Sequence, residues 1–250
     1  MVFTTNDIRV TKPLPPKPLE AIYANTYEGE WLNYQLGDKV LRRHYKPQQD
    51  FFRTGGRAIV LGNGVSRLRY PLSKINLSNK YKHLDRYDVI YGCNRAYTDE
   101  GDLDFLVVTN RLLSTMIPKE LHNITYATQE IQRANPAMEL IPMTQRMDAG
   151  AAAVSLACFH GADRVFLFGF DGQPNSIENN NIYAGERYYA SKDQSVNDTE
   201  WQDNLLRIMV CYKDVTFYRI DANPPNARKQ TMLPNYRLIT FNEFVSLADL

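Results

Sequence analysis

Arg57-Ala58-Ile59-Val60-Leu61-Gly62-Asn63-Gly64-Val65-Ser66 is the stretch from which the fold can be read. Ala58 to Leu61 is continuously apolar, which predicts a strand buried on both faces rather than an alternating surface strand. The run stops at glycine, so the strand feeds a tight turn. Glycines at 62 and 64 permit positive φ and close backbone approach. Together with the Ser66 hydroxyl, they make the loop a cradle whose amides can point at an anion. No Gly-Lys-Ser/Thr follows, so it is not a P-loop, and the third glycine of a dehydrogenase fingerprint is absent. A strand-to-helix turn with no ligand would use the same glycines.

Outward from this strand the chain repeats the pattern. Asp88 to Cys93, Phe105 to Thr109 and Arg164 to Gly169 read as further buried strands, with Ile124 to Ala127 a candidate fourth and Val215 to Ile220 another. Ala149 to His160 is small and apolar all round without a β-branched run, which predicts a buried helix. Asp198 to Cys211 is amphipathic, and Asn235 to Ile239 reads as a last strand or extension. Strands alternating with helices predict an α/β fold, a mostly parallel sheet with helices on both faces. Ligands of such sheets bind at the carboxyl ends of the strands. The residues there are polar and small: Asn63, Ser66, Asn94, Asn110 and Asp171. Each of these types also ends strands for purely structural reasons.

At 250 residues the chain fits one large domain, or one domain with an appended segment. Residues 1 to about 19 carry four prolines between Pro13 and Pro18 and read as an extended arm. Ile22, Tyr23, Tyr27, Trp31 and Tyr34 suggest helical turns, so residues 1–52 are expected to be an arm and helical cap, and 53–250 the nucleotide-binding domain. The 29 basic and 28 acidic residues nearly cancel, which gives no footprint of a dedicated nucleic-acid binder. Three dispersed cysteines match neither a zinc spacing nor a disulfide framework. Without a signal-like segment or an apolar run of spanning length, the expectation is a cytoplasmic protein with no transmembrane segment.

Asn94 and Asn110 can each donate and accept, which suits ribose hydroxyls or phosphate oxygens, and each can equally cap a helix. Asp148-Ala149-Gly150 opens the buried helix, with Asp148 a natural N-cap and Gly150 leaving room near a terminus that favours phosphate. Gln173 to Ser195 is polar, aperiodic and rich in Tyr and Asn, so a lid over about 173–197 is expected to order over ligand. His160 reads as structural. Asp99, Glu100, Asp102 and Asp104 form a local acidic cluster of the kind usually found in a solvated loop.

In order and spacing, Gly62-Asn63-Gly64-Val65-Ser66, Tyr91-Gly92-Cys93-Asn94, Asn110, Asp148-Ala149-Gly150, Phe168-Gly169-Phe170-Asp171 and Tyr183-Ala184-Gly185 resemble the bacterial sialyltransferases of glycosyltransferase family 42. The likeness spans roughly residues 57 to 221. It implies a Rossmann-like, GT-A-type domain that takes sugar from a CMP-activated donor with no metal or other cofactor. Asn63, Gly64 and Ser66 would touch donor phosphate and ribose, Asn94 and Asn110 would line the donor site, and Gly150 and Asp171 the nucleotide pocket. Tyr183 would match a lid tyrosine that stabilises the leaving phosphate. The chain departs from the family at Val65, where the loop has proline, and at about Gln173, where a second tyrosine belongs. It also lacks the catalytic-base histidine before the amphipathic helix. Asp193, Asp198 or Glu200 would have to serve as base there, and a donor other than a CMP-sugar becomes open.

The expected activity is therefore transfer of a sugar from a nucleotide-activated donor to an acceptor hydroxyl on a glycan, a lipid or a hydroxymethylated base in DNA. The last would need a basic groove, for which Arg187, Lys192 and the loop arginines are available. The rival readings are a Mg²⁺-dependent pterin-type pyrophosphokinase and a nucleotide-binding module without catalysis. Oligomeric state is not encoded in any motif found.

Overall fold

The computed structural model describes residues 26–28, 31–36, 39–44, 56–70, 88–99, 103–142, 147–171, 181–191, 199–220 and 233–247, the first three segments by their backbone. In those three segments the expected helical turns are replaced by strands: β1 (Thr26–Glu28), β2 (Trp31–Leu36) and β3 (Lys39–His44) form an antiparallel sheet. The pairing Trp31↔His44 through Leu36↔Lys39 leaves two residues, Gly37-Asp38, to join β2 to β3. Gly29-Glu30 separates β1 from β2 in the same way. A Gly-X pair between aromatic and β-branched runs is a two-residue hairpin signal, and it outranks the loose 3.6-residue spacing of the tyrosines.

The main sheet contains β4 (Arg57–Leu61), β5 (Asp88–Cys93), β6 (Phe105–Val108), β7 (Thr125–Ala127), β8 (Glu139–Leu140), β9 (Arg164–Phe168), β10 (Thr216–Ile220) and β11 (Tyr236–Ile239). Its order is β11-β10-β9-β4-β5-β6-β7-β8, and every pairing is parallel. This is a Rossmann-like α/β sheet. All five β4 residues and all four β6 residues are buried, as their unbroken apolar runs require.

Alternate side chains divide between the two faces. Ala58, Val60, Phe105 and Val107 pack with the helices α3 (Ala149–Phe159) and α4 (Thr199–Cys211). Ile59, Leu61, Phe166 and Phe168 pack on the other face with Phe244 of α5 (Phe241–Leu247). On that same face Leu106 and Val108 meet α1 (Arg111–Ser114) and α2 (Gln129–Ala134). The helix α3 is enclosed from Ala151 to Cys158, which explains its all-round apolar sequence. His160 ends it as a structural residue: it is buried, its Nδ1 lies 2.9 Å from the Tyr91 hydroxyl, and Tyr91, Phe105 and Tyr126 surround the ring. Thr240 and Glu243 cap α5 reciprocally, each side chain reaching the other's backbone amide.

From β4 the chain winds outward to β8, returns to β9 on the other side of β4, and winds outward again to β11. The connections therefore diverge between β4 and β9. At such a switch point the loops leave in opposite directions and a crevice opens at the strands' carboxyl ends. The loop of residues 62–66 and the segment 169–171 both emerge there. No helix among the described residues is long and apolar enough to cross a membrane.

Candidate functional site at the strand switch point

The 62–66 loop is held by its neighbour across the switch point. Gly62 N donates to Phe168 O at 2.7 Å and Gly64 N to Gly169 O at 2.8 Å. Ser66 N donates to Asp171 Oδ2 at 2.6 Å, and the Ser66 hydroxyl donates to Asp171 Oδ1. These bonds change the expected role of the loop. The Gly64 and Ser66 amides and the Ser66 hydroxyl already serve carbonyl and carboxylate groups of the protein, and the anion seated on the loop is Asp171.

The glycines have a matching explanation. Gly64 sits at φ −70° as the residue preceding a 3-10 turn, so positive φ is not its purpose. A Cβ there would lie 2.6 Å from both Asp171 Oδ2 and Gly169 O. A Cβ on Gly62 would collide with Gly169 O. Both positions need glycine because another segment of the protein passes at van der Waals distance. Gly169 is the residue that takes the left-handed backbone, at φ +69°.

Around this clamp stand the other strand-end residues. Cys93 Sγ donates to Asn63 Oδ1 at 3.5 Å, which uses one acceptor of that side chain. Burial pushes the Cys93 thiol up to about 12; Arg67 opposes the shift and Asp148 adds to it. The thiol therefore remains a neutral donor. Asn94 has φ +54°, a conformation asparagine tolerates. Its Oδ1 is buried with no hydrogen-bond partner among the described residues. Asn110 is exposed at the end of β6, two strands from β4, or about 10 Å at ordinary strand spacing. Its Oδ1 accepts from Leu112 N and Leu113 N, so it acts as the N-cap of α1.

Gly150 lies in the first turn of α3, where a Cβ would stand 3.2 Å from Asp148 Oδ1 and 3.3 Å from the Phe170 ring. Asp148 caps that helix through Ala151 N at 2.9 Å. Glu200 is exposed in the first turn of α4. Asp193 and Asp198, with Gln173 and Lys192, lie outside the described residues.

Residues 181–191 of the expected lid pack on the protein. Ile182 N donates to Asn63 O at 2.8 Å, and Tyr183 is 3 % exposed. The Tyr183 hydroxyl donates to Asp99 Oδ2 and accepts from Arg67 Nη2 at 3.0 Å. Arg67, itself 1 % exposed, also binds Asp99 at 2.7 Å and Gly62 O at 2.9 Å. Arg95 lies over the Tyr183 ring and pairs with Glu186. Burial pushes the Tyr183 hydroxyl above the ordinary tyrosine range, with Arg67 opposing the shift. Its hydroxyl is committed to a buried charge network and does not face a leaving phosphate in this conformation. Asp99 stays 38 % exposed while it pairs with Arg67 and Tyr183, and Asp104 accepts from Ile90 N.

Sequence reading overlooked Arg67 as a structural ion, and also Asn204, a buried α4 side chain beside Asp148. Arg67 gave one signal, a charged residue directly after a glycine loop in a region that must be enclosed. Among the described residues no group of three or more His, Cys, Asp or Glu could hold a metal ion. Comparison with family models, with curated proteins and with solved structures returned no match.

Proposed function

We propose that this chain is a glycosyltransferase that binds a nucleotide-activated sugar in the crevice between β4 and β9 and passes the sugar to an acceptor hydroxyl. The observation carrying this reading is the group of oxygen acceptors at the switch point. Asp171 is held in place by both donors of Ser66, and the Asn94 Oδ1 is buried and has no partner among the described residues. The Asn94 amide oxygen can accept a hydrogen bond and cannot donate one. The floor therefore suits ribose or sugar hydroxyls better than phosphate. The order of strand-end motifs resembling family 42 supports the same class of donor.

The test is a thermal-shift panel of CMP, CDP, UDP, GDP, ADP and ATP, each with and without Mg²⁺. A ligand at a hundred times its dissociation constant stabilises its protein by about 2.7 kcal/mol, which is readily seen. Stabilisation by one nucleotide that is lost in Asn94→Gly supports the reading and identifies the donor's base; glycine accepts the positive φ, so only the amide is removed. A response to ATP alone, and only with Mg²⁺, points instead to pyrophosphoryl transfer. No response to any nucleotide rejects the site.

A further inference from the structure

We infer that residues 181–191 form a plug on the proposed donor site, and that nucleotide reaches Asn94 only after this segment lifts. The inference rests on the transferase reading above and adds a gate to its site.

Asn94 follows β5 at the sheet's carboxyl end, where ligands of such sheets bind, yet its Oδ1 is buried. A ligand hydroxyl can bond that oxygen only if a neighbour moves. The strand is fixed: Asn94 N donates to Val107 O at 2.9 Å, and β5 is paired with β4 on one side and β6 on the other.

The neighbour that can move is the 181–191 segment, which lies across the exits of β4 and β5. Ile182 N donates to Asn63 O at 2.8 Å, and the Tyr183 hydroxyl reaches Arg67 and Asp99. Both residues flanking Asn94 are engaged as well. Arg95 lies over the Tyr183 ring, 5.3 Å from its centroid, and pairs with Glu186. Burial raises the Tyr189 hydroxyl above the ordinary tyrosine range, and Cys93, Tyr183 and Arg95 also act on it.

Much of the segment's backbone bonding is internal. Ala184 N donates to Asn181 O, Gly185 N to Ala190 O, Glu186 N to Tyr183 O and Tyr189 N to Glu186 O. Among the described residues, its hold on the sheet is the Ile182 amide, the Tyr183 hydroxyl, the Glu186 carboxylate and the packing of its rings. The outer clasp is weak, because Glu186 is 46 % exposed and exposed ion pairs contribute little. The seated turn is also strained: Gly185 has φ +83° and Tyr188 φ +70°, a left-handed backbone that is costly for tyrosine. Segments held in this way open at lower free energy than the sheet beneath them.

With the plug seated the site is closed. Apparent affinity is then the intrinsic affinity scaled by the fraction of molecules with the segment lifted. Weakening the seat must raise nucleotide affinity by the same factor as it raises opening. A lid that closes over nucleotide would behave in the opposite way.

Amide hydrogen exchange and nucleotide titration on the full chain test this, with Glu186→Gln and Gly185→Ala. The first variant opens the outer clasp. The second changes no charge; a Cβ there meets open space, so it acts through the positive φ. With no nucleotide added, the Ile182 and Tyr189 amides should exchange through an opening that leaves β4 and β9 protected. Their exchange should rise about two- to fivefold in Glu186→Gln and about fivefold or more in Gly185→Ala. Exchange of these amides only by the global unfolding that exposes β4 overturns the inference, whatever the nucleotides do. Whichever of CMP, CDP, UDP, GDP, ADP and ATP stabilises the wild type should bind both variants more tightly, by the factors seen in exchange. It should also lower protection at Ile182 and Tyr189. Unchanged or weaker affinity, or raised protection at those amides, overturns the plug and leaves the transferase reading standing. No response to any nucleotide rejects the donor site and the gate with it.

Discussion

At the scale of single residues, the Ser66–Asp171 contact turns the loop from a phosphate cradle into a carboxylate clamp. Ser66→Ala removes one bond to a charged group and should cost about 1.5 kcal/mol. Gly64→Ala forces a Cβ against Asp171 and Gly169 O and should cost about 1–3 kcal/mol as overpacking. Urea denaturation of the two variants measures both, and a neutral Gly64→Ala would show that the clamp yields freely. Asp148 makes a prediction of opposite sign. Its folded carboxyl titrates above the ordinary value, so the folded state holds the proton more tightly than the unfolded chain. Its contribution to stability is therefore greatest below the ordinary aspartate range and declines as pH rises through the folded titration. Asp148→Asn escapes that decline. Its stability relative to the wild type should grow between acid and neutral pH, which melting temperatures taken across that range will show.

At the scale of elements, caps and turn residues account for most of the conspicuous asparagines. Asn110 is the N-cap of α1, so Asn110→Ala should cost about 1 kcal/mol of stability and leave nucleotide stabilisation unchanged. Loss of nucleotide response in that variant would return Asn110 to the ligand site. Asn235 has a larger part: its Nδ2 lies within 3.1 Å of the carbonyls of Met209, Tyr212 and Val215. It thus joins the end of α4 to the start of β11. Asn235→Ala leaves those carbonyls without this donor and should cost about 1–3 kcal/mol, measured by urea denaturation. The buried strands β4, β5, β6 and β9 were legible because an unbroken apolar run has few other places to go. The sheet β1-β2-β3 was misread, since aromatic residues spaced by chance at helical intervals masked two hairpin signals at Gly29 and Gly37. The short α5 was missed despite its Thr240-Phe241-Asn242-Glu243 signature, because a capping box carries little weight without a long periodic run behind it.

At the scale of the whole molecule, Arg67 couples three parts of the chain that are remote in sequence. Its guanidinium joins the glycine loop through Gly62 O, the β5 exit through Asp99, and the 181–191 segment through Tyr183. Arg67→Met keeps the apolar stem but leaves Asp99 and the Tyr183 hydroxyl without their cation. Breaking a buried ion pair in this way should cost on the order of 3 kcal/mol, somewhat less here because Asp99 remains 38 % exposed. Hydrogen exchange distinguishes local from global loosening. The Ile182, Gly185 and Tyr189 amides, bonded to Asn63, Ala190 and Glu186, should lose protection while β4 and β9 keep theirs. Equal loss in both regions would mean that Arg67 supports the sheet itself.

The sequence by itself determined the parallel α/β sheet, its buried strands, the enclosed helix α3 with its Asp148 cap, and the polar residues at the strand ends. Those are local properties: apolar period, β-branching, caps and turn chemistry act over a few residues and need no partner far away. Only the tertiary structure decided what those polar residues touch. Ser66 meets Asp171 across 105 positions and Tyr183 meets Arg67 across 116, and nothing in either neighbourhood announces the other. A glycine loop that cradles a ligand and one that cradles its own carboxylate have the same composition. They differ only in which chain segment the switch point brings to within hydrogen-bonding distance.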